Sequence, residues 1–373
     1  MGNILGSDQG NKANESAPLY TPQKVQLQSS QSHGKSCRHE YNLFLLQKVT
    51  EFSNRLAGSH VPTAHLNDFS VLGYLGGGAF GHVLMVEHRR TRMQYALKVQ
   101  SKAHIIRCKD QLQRLMNEKN ILAACDLEYI IKLYFTFKDN ACVYMVLELL
   151  PCGDFFEMKK RVASFEEDAA QFYSGQVLIA LEYLHAVDII YRDLKPENIL
   201  VTAHGYLKLA DFGYVKRVPG ITYTFCGTPE YMAPEAFTRR GYAKSVDWWA
   251  FGVLIYEILY QTTPFMAATV EATYDRIQNS PVTFPANARS SREAQTLIRQ
   301  LLEKNVYGRL GVLRHGAEDV RCHQWYTNID WLALYHQHYL APVRPRPFQT
   351  RPFQPDSLPK SRTIMYESQF RYF

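Results

Sequence analysis

Three oxygen-bearing side chains at fixed intervals restrict this chain more than any other feature. Between Ile189 and Glu235 the sequence reads I-I-Y-R-D-L-K-P-E-N-I-L-V, then L-K-L-A-D-F-G, then T-F-C-G-T-P-E-Y-M-A-P-E. Asp193 is followed by Asn198 five residues on and by Asp211 thirteen beyond that. Phosphoryl transfer from a magnesium nucleotide needs such a set. One carboxylate accepts the acceptor hydroxyl's proton and orients it in line, which suits Asp193. Two hard oxygen ligands hold the magnesium that bridges the phosphates, which suits Asn198 and Asp211. Lys195 is placed to hold the phosphate as it moves. The apolar runs 188–191, 199–201 and 206–210 predict short strands, so the polar residues fall at strand ends.

A second constellation lies upstream. Gly76, Gly78 and Gly81 in L-G-G-G-A-F-G-H-V fit G-x-G-x-x-G, a turn whose backbone approaches phosphates without a Cβ in the way. Alone this pattern also suits a flexible hairpin. Here Y-A-L-K follows on a strand-like run and places Lys98 for the α- and β-phosphates. Residues 109–124 carry helical periodicity, and Glu118 on that helix is the expected partner of Lys98. The strand 143–147 leads into E-L-L-P-C-G-D, a hinge at 148–153, where the backbone of Glu148 and Leu150 would meet an adenine edge and Leu147 would line the back of its pocket.

Y-R-D-L-K-P-E-N, D-F-G and A-P-E in this order and spacing match the signature set of protein kinases. V-P-T-A-H-L-N-D-F, N-E-K-N-I-L, C-G-T-P-E-Y-M-A-P-E and V-D-W-W-A-F-G-V-L-I-Y-E-I narrow the resemblance to the catalytic subunits of cAMP-dependent protein kinases, in the AGC group. It runs from about 40 to 340 and returns at the terminal F-R-Y-F. The resemblance implies an α+β, bilobal kinase fold, with a five-stranded antiparallel sheet and helix above a mainly helical lobe. It implies a serine/threonine kinase using ATP and Mg2+ on substrates with upstream basic residues. Leu75, Val83, Ala96 and Asp154 would join the nucleotide site. Thr228 would orient Asp193 and Lys195, Asp247 would brace the catalytic loop, and Glu235 would pair with Arg309. Thr224 would be the activation phosphosite, received by Arg114, Arg192 and Lys216. Asp154, Glu197 and Glu257 would receive substrate arginines. The implied partners are a cAMP-binding regulatory subunit and an upstream activating kinase.

Some positions depart from that family. Asp154 stands where a glutamate is usual, Tyr223 replaces a tryptophan used in regulatory-subunit docking, and Ile221 replaces a basic residue. The acidic F-D-D-Y tether gives way to R-P-R-P-F-Q-T-R-P-F-Q, with Phe348 and Phe353. These changes bear on substrate preference, nucleotide affinity and regulation. A pseudokinase scaffold is the competing reading, but such proteins usually lose Lys98, Asp193 or Asp211, and all three are here.

The 373 residues, 46% hydrophobic, are enough for a sizeable core. The organisation expected is a flexible tail over 1–39, an amphipathic helix over 40–57 packed on the core, a kinase domain over 69–325 and an AGC-type tail over 326–373. Within the kinase domain the small lobe runs to 147 and the large lobe spans 154–325. The net charge of +7 comes from scattered Lys and Arg without a basic–aromatic repeat, which argues against nucleic-acid binding. Seven scattered cysteines read as reduced thiols and a cytoplasmic or nuclear location. No membrane span is expected, since the longest apolar run, 248–260, is too short and contains Glu257. M-G-N-I-L-G-S makes Gly2 a candidate for N-myristoylation. The apolar residues Leu43, Leu46, Val49, Phe52 and Leu56 define the expected buried face of the 40–57 helix.

Overall fold

The computed structural model describes residues 34–58, 61–78, 81–162, 164–224, 227–238, 241–286, 290–353 and 358–373. Gly2 and its acylation lie outside them.

A long helix, α1 (Gly34–Gly58), precedes a five-stranded antiparallel sheet of β1 (Phe69–Gly78), β2 (Gly81–His88), β3 (Gln94–Ser101), β4 (Leu133–Lys138) and β5 (Cys142–Glu148). Its order is β1-β2-β3-β5-β4, and α2 (Lys102–Arg107) and α3 (Gln111–Ala124) lie between β3 and β4. One side of the sheet closes its own small core around Phe69, Leu84, Val86, Leu97 and Val146. Alternate residues of β3 serve the other side, so Ala96 and Lys98 share a face by the period of two.

Below the sheet come α4 (Phe155–Lys160) and α5 (Glu167–Ala186), then short strands β6 (Ile189–Ile190), β7 (Ile199–Val201), β8 (Leu207–Leu209) and β9 (Lys216–Arg217). These pair as two ribbons, β6 with β9 and β7 with β8. The helices α6 (Ser245–Tyr260), α7 (Val270–Asn279), α8 (Arg292–Leu301), α9 (Ala317–Arg321) and α10 (Trp331–Tyr335) complete the lower lobe. Helix α6 is buried nearly all round, from Ser245 to Ile258, which explains its uninterrupted apolar composition. No helix of the described residues is long and apolar enough to cross a membrane.

The α1 helix begins at Gly34, six residues before the expected start, and its buried face differs from the expected one. Tyr41 and Phe52 are buried and Phe44, Leu45, Val49 and Leu56 pack beside them, whereas Leu43 and Leu46 are exposed. The reason is geometric. Leu43 and Phe52 are nine residues apart, so at 3.6 residues per turn they point in roughly opposite directions. A string of steps of three winds around a helix instead of holding one face.

Candidate functional site

Between the sheet and the helical lobe lies a cleft of about 970 Å³. Leu75, Gly76, Gly81, Val83 and Ala96 form its roof, and Glu148, Leu149 and Leu150 its back edge. Leu200, Asp154 and Glu197 line the opposite side. Leu147 lies in the core behind this wall. The β1–β2 turn pairs Gly78 with Gly81. Gly81 has φ +146°, and a Cβ there would fall 2.0 Å from the Val99 carbonyl oxygen. Position 81 therefore requires glycine, and Gly76 and Gly81 both line the cleft.

Lys98 projects from β3 into this space. Its ammonium lies 2.7 Å from Glu118 Oε1 and 3.4 Å from Asp211 Oδ1. Burial works against the ammonium, but Glu118 and Asp211 outweigh it and hold the Lys98 pKa above its ordinary value. Burial raises the Glu118 pKa, and Lys98 and a hydrogen bond from the Phe212 backbone restrain the rise. Asp211 is held below the usual carboxylate range, chiefly by Lys98.

The loop between β6 and β7 carries the other polar groups. The Thr228 hydroxyl donates to Asp193 Oδ1 at 3.1 Å and accepts from Lys195 Nζ at 2.8 Å. Lys195 also lies 3.1 Å from Asp193 Oδ2. The Asn198 amide nitrogen donates to Asp193 at its carbonyl and at Oδ2, 2.8 and 2.7 Å away. That spends the nitrogen and leaves the amide oxygen as a ligand for a cation. Buried Asp247 fixes the loop by accepting from the Tyr191 and Arg192 backbone amides at 2.9 and 2.8 Å. Arg192 (φ 71°) and Asp211 (φ 36°) adopt left-handed conformations, which cost of order 1–3 kcal/mol each and persist where the surroundings enforce them. Phe212 packs edge-on against Tyr191 with ring centres 5.5 Å apart, tying the Asp211 turn to the same loop. Glu235 and Arg309 form a buried pair through Nη2 and Oε2 at 2.9 Å.

Gly76, Gly81, the paired Lys98 and Asp211 thus line one cleft, with Glu197 of the Asp193 loop at its edge. Residues 69–326 match the protein kinase domain. The chain belongs to the protein kinase family. Its relatives place it with the cAMP-dependent catalytic-subunit type. It is 41% identical over 280 residues to cAMP-dependent protein kinase type 3 of Saccharomyces cerevisiae, covering 75% of this chain and 70% of the yeast protein. It is 38% identical over 311 residues to cAMP-dependent protein kinase catalytic subunit 2 of Drosophila melanogaster, covering 83% and 87% of the two chains. With the human cAMP-dependent protein kinase catalytic subunit PRKX it shares 38% over 285 residues, 76% of this chain and 79% of the human one.

The kinase uses ATP and Mg2+, and the donors present fit both. Asp211 and the Asn198 amide oxygen are hard ligands suited to magnesium, which neutralises phosphate charge when bound. Lys98 and the bare backbone at Gly81 suit phosphate oxygens.

Other expected residues are placed differently. Asp154 caps α4, accepting from the Glu157 amide at 2.8 Å, while still lining the cleft. Glu257 is buried against Lys159 at 2.9 Å instead of facing the cleft. Of the cations expected near Thr224, Arg114 lies 5.0 Å over the Tyr214 ring and Arg192 Nε donates to the Tyr214 carbonyl at 2.6 Å. Lys216 reaches the Thr222 hydroxyl at 3.1 Å. The described contact at Thr224 itself is to its carbonyl, which accepts from the Tyr242 hydroxyl.

Sequence reasoning missed Leu200 and the tail residues Phe348, Gln349 and Arg351, which also line the cleft. The Phe348 amide donates to Pro151 at 2.8 Å, and Tyr74 and Arg351 exchange two backbone hydrogen bonds at 2.8 and 3.1 Å. The Phe353 ring lies nearly parallel to Tyr74, 5.9 Å away. Gly73 makes room for this crossing, since a Cβ there would fall 2.6 Å from Thr350 Cβ. The available signal was Gly73, a glycine set between Leu72 and Tyr74 inside the strand.

Proposed function

We propose that this kinase transfers the ATP γ-phosphate to serine or threonine in proteins that carry basic residues upstream of the acceptor. The observation that carries the reading is the Asp193 carboxylate, held by Thr228, Lys195 and Asn198 beside the cleft. So held, Asp193 orients the acceptor hydroxyl and takes its proton, while Lys195 and Lys98 answer charge on the phosphoryl oxygens. Half-buried Asp154 and exposed Glu197 supply carboxylates at the cleft for guanidinium groups. The test is Mg-ATP turnover on a positional Ser/Thr peptide library, with Asp193→Asn as the control. Selection for arginine at one or more upstream positions is expected. Turnover with no basic preference anywhere would remove the substrate reading, and turnover undiminished in Asp193→Asn would remove the assigned base.

Thr224 is the activation phosphosite in this reading, modified by an upstream kinase. Arg192 Nη1 is buried without a partner among the described residues, a donor suited to a phosphate oxygen. Thr224→Ala is expected to lower activity by about tenfold or more, the scale of one or two charge-assisted hydrogen bonds. Full activity in that variant, with intact mass showing unphosphorylated wild type, would count against the switch.

A cAMP-binding regulatory subunit is the proposed partner of the same segment, where Ile221 and Tyr223 are both exposed. Failure of such a subunit to retain the kinase in a pull-down without cyclic AMP would exclude it. The free thiols of the five described unpaired cysteines support a cytoplasmic or nuclear setting, which fractionation of the expressed protein checks.

A further inference from the structure

Glu257 is one of three carboxylates expected to receive upstream arginines, yet its charge is already answered from within the protein. It sits on α6 with 7% of its surface exposed, and Lys159 on α4 is 4% exposed. The Lys159 ammonium lies 2.9 Å from Glu257 Oε1, and the Tyr231 hydroxyl donates to Oε2. Both carboxylate oxygens are therefore engaged. The neighbouring Lys160 behaves differently: it is exposed, pairs with Glu157 at 2.9 Å and lies 4.0 Å over the Phe156 ring. Of two adjacent lysines, α4 turns one inward to Glu257 and leaves the other to solvent.

A guanidinium recognises a carboxylate by two parallel hydrogen bonds to both oxygens. At Glu257 it would have to displace a tethered ammonium, which competes at a high effective concentration. It would also bring a second positive charge to a site already neutral and mostly out of water. The displaced Lys159 would then be buried without a partner. Glu197 and Glu230 are the acidic neighbours of Glu257. Glu230 accepts from the Thr263 hydroxyl at 2.6 Å, and Glu197 is exposed.

We propose that Lys159 is a built-in counter-cation that occupies the arginine-receiving site at Glu257, so that this kinase does not select arginine at the substrate position Glu257 would serve. The inference rests on the basic-directed reading above and narrows it, leaving arginine selection to Asp154 and Glu197. Lys159 is thereby a specificity-determining residue that acts through Glu257.

The experiment compares arginine selection at each upstream position of a Ser/Thr peptide library for three enzymes: wild type, Lys159→Met, and Lys159→Met/Glu257→Gln. Lys159→Met is expected to gain arginine selection at one upstream position where wild type has none. There kcat/KM for arginine over alanine should rise by about tenfold or more, the scale of a hydrogen bond to a charged group. The double variant should show the wild-type profile, because it removes receptor and counter-cation together. A folded Lys159→Met enzyme with an unchanged profile would overturn the proposal. Lys159→Met leaves Glu257 buried and unpaired, so a melting curve accompanies it. If that variant does not fold, the other two enzymes decide. Identical profiles support the proposal, and loss in the double variant of arginine selection present in wild type overturns it. Absence of basic selection in wild type at every position would refute the general substrate reading instead. The gain in Lys159→Met would still report on Lys159.

Discussion

Asp211→Ala and Lys98→Met enzymes are each expected to lose at least about 10²-fold in turnover, the scale for removing one preorganised electrostatic donor at a reacting centre. The two losses arise differently. Asp211→Ala removes a carboxylate suited to magnesium, and its side chain is about half exposed at 47%, so its melting temperature should stay near that of wild type. Lys98→Met removes a cation that lines the cleft and strands Glu118, whose side chain is 3% exposed. Without Lys98 the carboxyl loses a main influence restraining its upward pKa shift and takes up a proton more readily. That variant should lose activity and shift the position of α3 together. Turnover at saturating Mg-ATP and a thermal melt on each purified enzyme check this. Near-normal turnover in either would exclude the assigned role of that residue.

The chemistry of this site was legible because phosphoryl transfer fixes residue types at fixed intervals. Asp193, Asn198 and Asp211 lie on loops whose lengths are set by the short strands β6, β7 and β8, so linear spacing translates almost directly into space. Glu118 was reachable for a related reason: Lys98 demands an acidic partner, and of the two helices that follow its strand α3 alone carries one. What the sequence did not reveal were contacts between segments far apart in the chain whose partners have no fixed spacing. Lys159 stands beside another lysine and reads as a solvated face until α4 is docked against α6. The tail crossing at Tyr74 and Arg351 is made of backbone hydrogen bonds, which no side-chain pattern announces. The α1 face was misjudged because several apolar stripes overlap on that helix, and packing against α3, α5 and α10 selected one of them.

Activation-segment cations illustrate a further limit. The resemblance assigns Arg114, Arg192 and Lys216 to this segment, but each side chain has several partners within reach. The contacts made to Tyr214 and Thr222 depend on local backbone conformation, including the left-handed Arg192. Family resemblance indicates which groups can receive a phosphate, whereas the hydrogen bonds present show what they hold otherwise.

Replacing Phe370 and Phe373 together by alanine is expected to lower thermal stability and activity in parallel. Phe370 is fully buried, and Phe373 packs at the edge of the same core. The segment reaches this place by a chain of hydrogen bonds: Asn140 Nδ2 to the Ser361 carbonyl at 3.1 Å, then the Met365 amide to Asn140 at 2.9 Å. Lys138 donates to the Phe370 carbonyl, and Lys102 on α2 lies 5.7 Å from the Phe370 ring. Lys119 on α3, the residue after Glu118, donates to the Tyr372 carbonyl and lies 5.6 Å from the Phe373 ring. The terminal turn therefore binds the helix that presents Glu118 to Lys98. Truncating a buried phenylalanine to alanine costs about 3–5 kcal/mol, and the loss here falls on the element that aligns the Lys98–Glu118 pair. Melting temperature and turnover should both decrease, and a Phe370→Leu enzyme, which keeps much of the apolar volume, should recover most of each. The measurement is a thermal melt beside saturating turnover, with intact mass confirming that Thr224 modification matches wild type. If the double alanine variant matches wild type in both, the terminal segment does not support α3, and the position of Glu118 must be set by α1, α2 and the sheet.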